Sequence, residues 1–292
     1  MSRTALVIGG GIAGPATAMA LQMAGIDATV YEAHTEAADG AGVFLTLGSN
    51  GIDALKAIGA DQAIDDTGIA TPQVTLCSSK GKRLGVSKIS SAAGTPSRTI
   101  RRADLYRALY QEAVRRGITV YHGKRLVAAE DTGGAVRATF ADGTTAAADL
   151  LIGCDGVHSA VRMAVDPKAP APSYAGLISL GGYTRDVAVD AEPGSYTMIF
   201  GRRAFFGYAV ALDGEVWWFA NLPRANEPAR GEVERVGGDE WRRTLVEAFK
   251  DDAGPGRAHH RSHRQRQRHE GQPGPPAQAP PHLASRPDDR PR

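Results

Sequence analysis

The stretch TALVIGGGIAGPATAMALQMAGIDATVYE, residues 4–32, decides the fold. Thr4 to Ile8 is a short apolar run of strand length, glycines follow, and residues 14–24 form a helix-like stretch stopped by Gly25. Ala28 to Tyr31 is a second apolar run. Strand, glycine turn, helix and strand within about thirty residues make a βαβ unit, whose crossover sets the two strands parallel.

Within this unit Gly9, Gly11 and Gly14 stand in the spacing GxGxxG where strand turns into helix. The first glycine permits a tight turn, the second lets backbone approach a pyrophosphate, and the third lets the helix pack on the strand. Ile12 and Ala13 lie between them, where a helix N-terminus offers free N–H groups and a positive dipole end to phosphate. Glu32 closes the second strand and can accept hydrogen bonds from an adenosine ribose. Dinucleotide binding follows from this combination, and the motif leaves NAD and FAD open. An acid at Glu32 would repel a 2'-phosphate, which argues against NADP at this position.

No charged residue occurs from Thr4 to Ile26. Gly9, Gly10, Gly11, Gly14 and Pro15 nevertheless break the continuous apolar run that a signal core or membrane helix requires, so neither is expected.

The 292 residues carry a net charge of +2, unevenly spread. Residues 254–292 hold eight Arg against three acids, a balance of +5, which leaves −3 for residues 1–253. That terminal stretch also holds eight of the 17 Pro and five of the eight His, with no aromatic ring beyond histidine, so it cannot build a core. The basic balance therefore gives the folded part no preference for nucleic acid or an anionic membrane. His259-His260-x-x-His263 has metal-ligand spacing, but its Arg-, Pro- and Gln-rich surroundings point to composition rather than a site. Cys77 and Cys154 are the only cysteines, far apart, which excludes a disulfide framework and fits a reducing cytoplasm.

Further along, residues 104–116 read as a helix with Asp104 as its N-cap, and strands are expected near 118–121, 126–129, 136–140 and 150–152. Beyond Pro167 come apolar and aromatic runs near 176–183, 196–200, 205–212 and 216–222, then a helix over 241–249. This pattern predicts a mostly antiparallel second domain. The expected organisation is 1–168 for the nucleotide domain, 169–253 for the sheet domain and 254–292 for a disordered tail. Trp217, Trp218 and Phe219 should alternate across the sheet, one face toward core and the other toward a substrate cavity.

Three segments together carry a family resemblance: the N-terminal unit, Arg101-Arg102-Ala-Asp104-Leu105, and Gly153-Cys-Asp155-Gly156-Val-His-Ser159-Ala-Val-Arg162. From about residue 4 to 250 the chain resembles the FAD-dependent aromatic hydroxylases of the para-hydroxybenzoate hydroxylase type. The resemblance implies an α/β, Rossmann-like three-layer FAD fold with an inserted antiparallel sheet. It further implies hydroxylation of an aromatic or polyketide-like small molecule by O2, with NADPH or NADH as transient reductant and neither nucleic acid nor membrane as partner. Asp155 and Gly156 would lie near the FAD pyrophosphate, Arg102 would contact the flavin nucleotide with Arg101 as its competitor, and Val127 would flank the adenine. The same scaffold also serves flavin-dependent dehydrogenases and halogenases, and a non-catalytic remnant is a further reading.

Two departures stand out. Ala33 occupies a position where relatives commonly carry Arg, and no Gly-Asp motif of the kind that contacts the flavin follows Phe249. A chain that leaves the family pattern near residue 254 by truncation or frame shift is the expectation, with weak or absent FAD in the purified protein as its consequence.

Overall fold

The computed structural model describes residues 2–35, 43–185, 187, 189, 191–229 and 231–253. The tail and its histidines, with the expectations attached to them, lie outside the described residues.

The opening unit is β1 (Thr4–Ile8), α1 (Ala13–Met23) and β2 (Asp27–Tyr31). There follow β3 (Phe44–Leu47), α2 (Ser49–Ala57), α3 (Gln62–Asp65), β4 (Ile69–Thr71), β5 (Gln73–Ser78), β6 (Arg83–Lys88) and β7 (Ser97–Arg101). Helix α4 (Arg102–Arg115) leads to β8 (Thr119–Tyr121), β9 (Leu126–Asp131), β10 (Val136–Phe140), β11 (Thr145–Ala148), β12 (Leu150–Gly153) and α5 (Ala160–Val165). The last elements are β13 (Leu177–Thr184), β14 (Tyr196–Phe200), β15 (Phe205–Val210), β16 (Val216–Pro223), α6 (Glu232–Arg235) and α7 (Gly238–Ala248).

A parallel sheet of order β12-β1-β2-β8 forms the centre of the nucleotide half. Both faces of β1 are covered, which is why its sequence is apolar without alternation. Val7 packs with Ala18, Met19, Leu105 and Leu109 on the α1/α4 side. Leu6 and Ile8 pack with Ala138, Phe140 and Val161 on the side of the β11-β10-β9 sheet and α5. Three layers result.

Helix α4 begins two residues before the expected start, with Arg101 in the cap position. Asp104 sits inside the first turn and pairs with Arg107 (2.9 Å) rather than capping. The strand β7 runs straight into α4, so sheet pairing fixes the backbone at Arg101 and overrides the residue preference for a cap. Gly25 and Gly117 terminate α1 and α4 in left-handed conformation, as their positions predict.

The second large sheet has the order β13-β16-β15-β14-β5-β6. Four of its strands come from the predicted 169–253 region, and β5 and β6 come from residues 73–88, with β14 and β5 parallel. Helix α7 covers one face: Leu245 and Phe249 pack on Ile199, Phe206, Trp218 and Leu222. On the opposite face Tyr196, Ala209 and Trp217 meet Phe44 of β3 and Ile69 of β4. The tryptophan pair thus alternates as its sequence predicts. No helix among the described residues is long and apolar enough to cross a membrane.

Candidate functional site: a glycine-lined cleft on the parallel sheet

The cleft lies at the C-terminal ends of β1 and β2, where an open α/β sheet presents ligand sites. It encloses about 510 Å3 and is lined by Gly9, Gly11, Ile12, Ala13, Glu32, Arg102, Asp155 and Gly156 among others. Eight of the ten residues singled out from sequence meet there.

Backbone geometry explains the glycines separately. Gly9 has φ of 105°, and a Cβ there would sit 2.3 Å from the Cys154 carbonyl oxygen. Gly14 does not line the cleft; a Cβ on it would fall 1.9 Å from the Gly9 carbonyl oxygen, so it is the helix-to-strand contact. Gly11 differs from both: a Cβ there would meet nothing within 4 Å among the described residues. Packing of the described residues gives Gly11 no reason to lack a side chain, and Gly11 lines the cleft. Helix α1 starts at Ala13 with no side-chain cap among the described residues and no acid in its first turn. Its first N–H groups therefore remain available to an anion.

Glu32 is fixed from two sides. Its Oε2 accepts from the Gly10 amide at 2.6 Å, and its Oε1 accepts from the His34 amide at 2.8 Å. Each carboxylate oxygen can accept a further hydrogen bond beyond its one amide, and Glu32 lines the cleft. Arg102 is held at the start of α4, its amide donating to the Val43 carbonyl at 3.1 Å. Tyr106, one turn further on the same face, reaches the cleft as well. Sequence reasoning passed over it, although its helical spacing from Arg102 pointed there. Tyr31 also lines the cleft, and burial, with Tyr121 adding to it, raises its phenol above the ordinary value.

Asp155 has a structural task that its motif did not reveal. Its Oδ1 accepts from the Ser159 hydroxyl at 2.5 Å and its Oδ2 from the Ala160 and Val161 amides at 2.7 and 3.1 Å. Ser159 in turn accepts from the Arg162 amide at 2.9 Å. The two side chains organise the start of α5 beside the cleft, and Gly156 turns the chain there with φ of 82°.

Val127 is 58% exposed and lies outside the cleft; its neighbour Leu126 is the lining residue. A shift of one position along a strand turns a side chain to the other face. Lys124 and Arg125, which sequence reasoning passed over, also line the cleft beside Ala33, Lys124 being held by Asp142 (2.5 Å) and Thr144 (2.8 Å). Arg101 goes elsewhere. It pairs with Glu215, and its guanidinium lies 4.5 Å from the Tyr183 ring and 5.2 Å from Trp217. Trp217 donates its indole N–H to the same Glu215 at 2.9 Å. Arg101 thus ties the nucleotide half to the six-stranded sheet, while Arg102 serves the cleft.

A glycine-turn cleft on a parallel sheet, backed by an acid and joined to a large, mostly antiparallel sheet, has the architecture of a nucleotide-binding α/β protein. A family model described as FAD binding domain matches residues 2–267, and the chain belongs to that family. It is 30% identical over 220 residues to the aurachin C monooxygenase/isomerase of Stigmatella aurantiaca, covering 74% of this chain and 56% of the relative. It is 27% identical to the FAD-dependent urate hydroxylase of Klebsiella pneumoniae, over 75% and 57% of the two chains. The solved structure of Klebsiella pneumoniae HpxO with FAD and uric acid superposes with a TM-score of 0.76 at 26% identity, covering 89% of this chain and 65% of that one. The chain thus spans somewhat more than half the length of these curated relatives.

Proposed function

We propose that the chain is the nucleotide-binding and substrate-sheet portion of an FAD-dependent monooxygenase that hydroxylates an aromatic small molecule with NADPH or NADH and O2. The observation that supports this reading most directly is the Gly11 vacancy facing an uncapped helix N-terminus. That arrangement fits a pyrophosphate, and family membership makes the pyrophosphate that of FAD.

In this reading Gly9 sets the turn and the amides of Gly11, Ile12 and Ala13 donate to the pyrophosphate, with Gly14 keeping the helix in place. Glu32 accepts from the ribose hydroxyls through the lone pairs its backbone partners leave free. Arg102 offsets phosphate charge, and Leu126 flanks the adenine where Val127 was expected. Asp155 and Gly156 hold the start of α5 at the far wall. Bound FAD would supply the redox chemistry and oxygen activation; the protein residues supply binding, orientation and exclusion of water. The six-stranded sheet offers its ring-lined face to the aromatic substrate. A cytoplasmic location is consistent with two free cysteines and with the supply of reduced nicotinamide.

The test follows NAD(P)H oxidation and O2 uptake in the presence of FAD and candidate aromatic substrates, with 18O2 and mass analysis of product. One labelled oxygen in the product is expected. Substrate oxidation without incorporation of label would favour the dehydrogenase reading and overturn this one.

A further inference from the structure

The ring-lined face of the six-stranded sheet is organised in cross-strand rows. Directly paired residues share a face, so strand register defines each row. Tyr183, Trp217, Ala209 and Tyr196 form one. It is covered by Phe44 and by Arg101, which lies over two of its rings. Gly181, Phe219, Gly207 and Met198 form the next. Here a Cβ on Gly181 would be 2.8 Å from Val43, so the β3 segment rests on that glycine, and the Phe219 ring lies over Gly207. The third row is Ser179, Asn221, Phe205 and Phe200. Among the described residues the cover ends there: Phe200 is 50% exposed. A cavity of about 490 Å3 opens over Leu177, Phe200, Phe205 and Asn221, with Arg202 at its margin.

Polar groups in this row are arranged in one direction. The Ser179 hydroxyl donates to Asn221 Oδ1 at 2.8 Å, which occupies the carbonyl end of the amide. The amide nitrogen has no acceptor among the described residues. Phe200 and Phe205 meet edge to face at 5.3 Å, and Phe219 tilts onto Phe205 at 5.8 Å. Arg203 is engaged by Glu247 and Asp251, whereas the guanidinium of Arg202 pairs with nothing among the described residues. The cavity therefore combines aromatic walls, an unused N–H donor pair and a cation.

We propose that Asn221, oriented by Ser179, is a specificity-determining residue that donates to an exocyclic anionic or carbonyl oxygen of an aromatic ring seated on the Phe200–Phe205 row. Arg202 adds charge that favours the anionic form. The inference rests on the monooxygenase reading above for its claim that the ring is a substrate. Ser179 is a positioning residue in it: without its hydroxyl the amide can rotate and present its acceptor instead.

A site built to hydrogen-bond a ligand group discriminates strongly against an analogue that lacks the group. Calorimetric titration of the full chain with FAD present would compare 3-amino-4-hydroxybenzoate with 2-aminophenol, and urate with purine. In at least one pair the ligand that carries the carboxylate or the ring carbonyls should bind about tenfold or more tightly than its counterpart, since a charge-assisted hydrogen bond at a partly open site is of that order. Asn221→Asp, which keeps size but replaces the donors by acceptors, should remove the preference, and Ser179→Ala should reduce it. FAD affinity, followed by flavin fluorescence in the same samples, should stay within about twofold for both variants. If wild type shows neither preference, or if the preference survives Asn221→Asp, the inference is wrong. Loss of FAD binding by wild type would instead strike at the monooxygenase reading.

Discussion

The cleft on the parallel sheet and the ring-lined face of the six-stranded sheet are built from different materials. On the parallel sheet the cleft is made of backbone: a left-handed turn at Gly9, a bare Cα at Gly11, uncapped amides at α1, and a Glu32 carboxylate held by two further amides. On the antiparallel sheet the surface is made of side chains set in register, with Asn221, Phe205 and Phe200 contributed by three different strands. A backbone site should fail when atoms are added, and a side-chain site when polarity is changed. The joint between the halves, Arg101 on Glu215, combines both kinds of sensitivity because it pairs a charge with a buried partner.

The steepest expected effect is at the backbone. Gly14→Ala places a methyl 1.9 Å from a carbonyl oxygen that cannot move without breaking the turn, and should cost about 3 kcal/mol or more in urea unfolding. A loss below about 1 kcal/mol would show the helix to be freer against β1 than its packing implies. Next comes the joint. Arg101→Met leaves Glu215, 7% exposed, with the longer Arg185 pair at 3.6 Å and the Trp217 indole N–H, and should destabilise by about 2 kcal/mol. The double variant with Glu215→Gln should recover part of that loss. Equal losses for single and double variants would remove the ion pair from the description.

A smaller effect tests the nucleotide half alone. Arg115 first, then Arg116, hold Glu112 at a pKa of about 2, and Arg116 also reaches the carbonyls of Ile58 and Gly59, joining α4 to the end of α2. A carboxylate with a depressed folded pKa stabilises fully above its unfolded value near 4.3 and progressively less as pH falls toward 2. Glu112→Gln should therefore cost about 1 kcal/mol at pH 7, and the difference from wild type should vanish near pH 2. A difference that persists at low pH would assign the effect to packing of the side chain instead of its charge.

The nucleotide cleft was largely legible because its determinants are neighbours in sequence. Strand, turn, helix and acid fall within residues 4–32, and local spacing fixes them. Placement failed where long-range pairing decides. The register of β9 gives Leu126 and not Val127 to the cleft, and the run of β7 into α4 takes the cap position from Asp104. The role of Asp155 in seating α5 was present in its spacing to Ser159, but the stronger association of the motif with a cofactor obscured it. The Asn221 row had no linear signature at all: register alone brings residues 179, 200, 205 and 221 together.

Gly11 separates ligand from fold most cleanly, because no described residue lies near its missing side chain. FAD titration of wild type and Gly11→Val, followed by flavin fluorescence alongside thermal melting, tests the central claim directly. Saturable one-to-one binding by wild type is expected, with Gly11→Val weakening it by about fiftyfold or more and shifting the melting midpoint by no more than about 2 °C. Wild type that fails to bind FAD, or a valine variant that binds as wild type does, would contradict it.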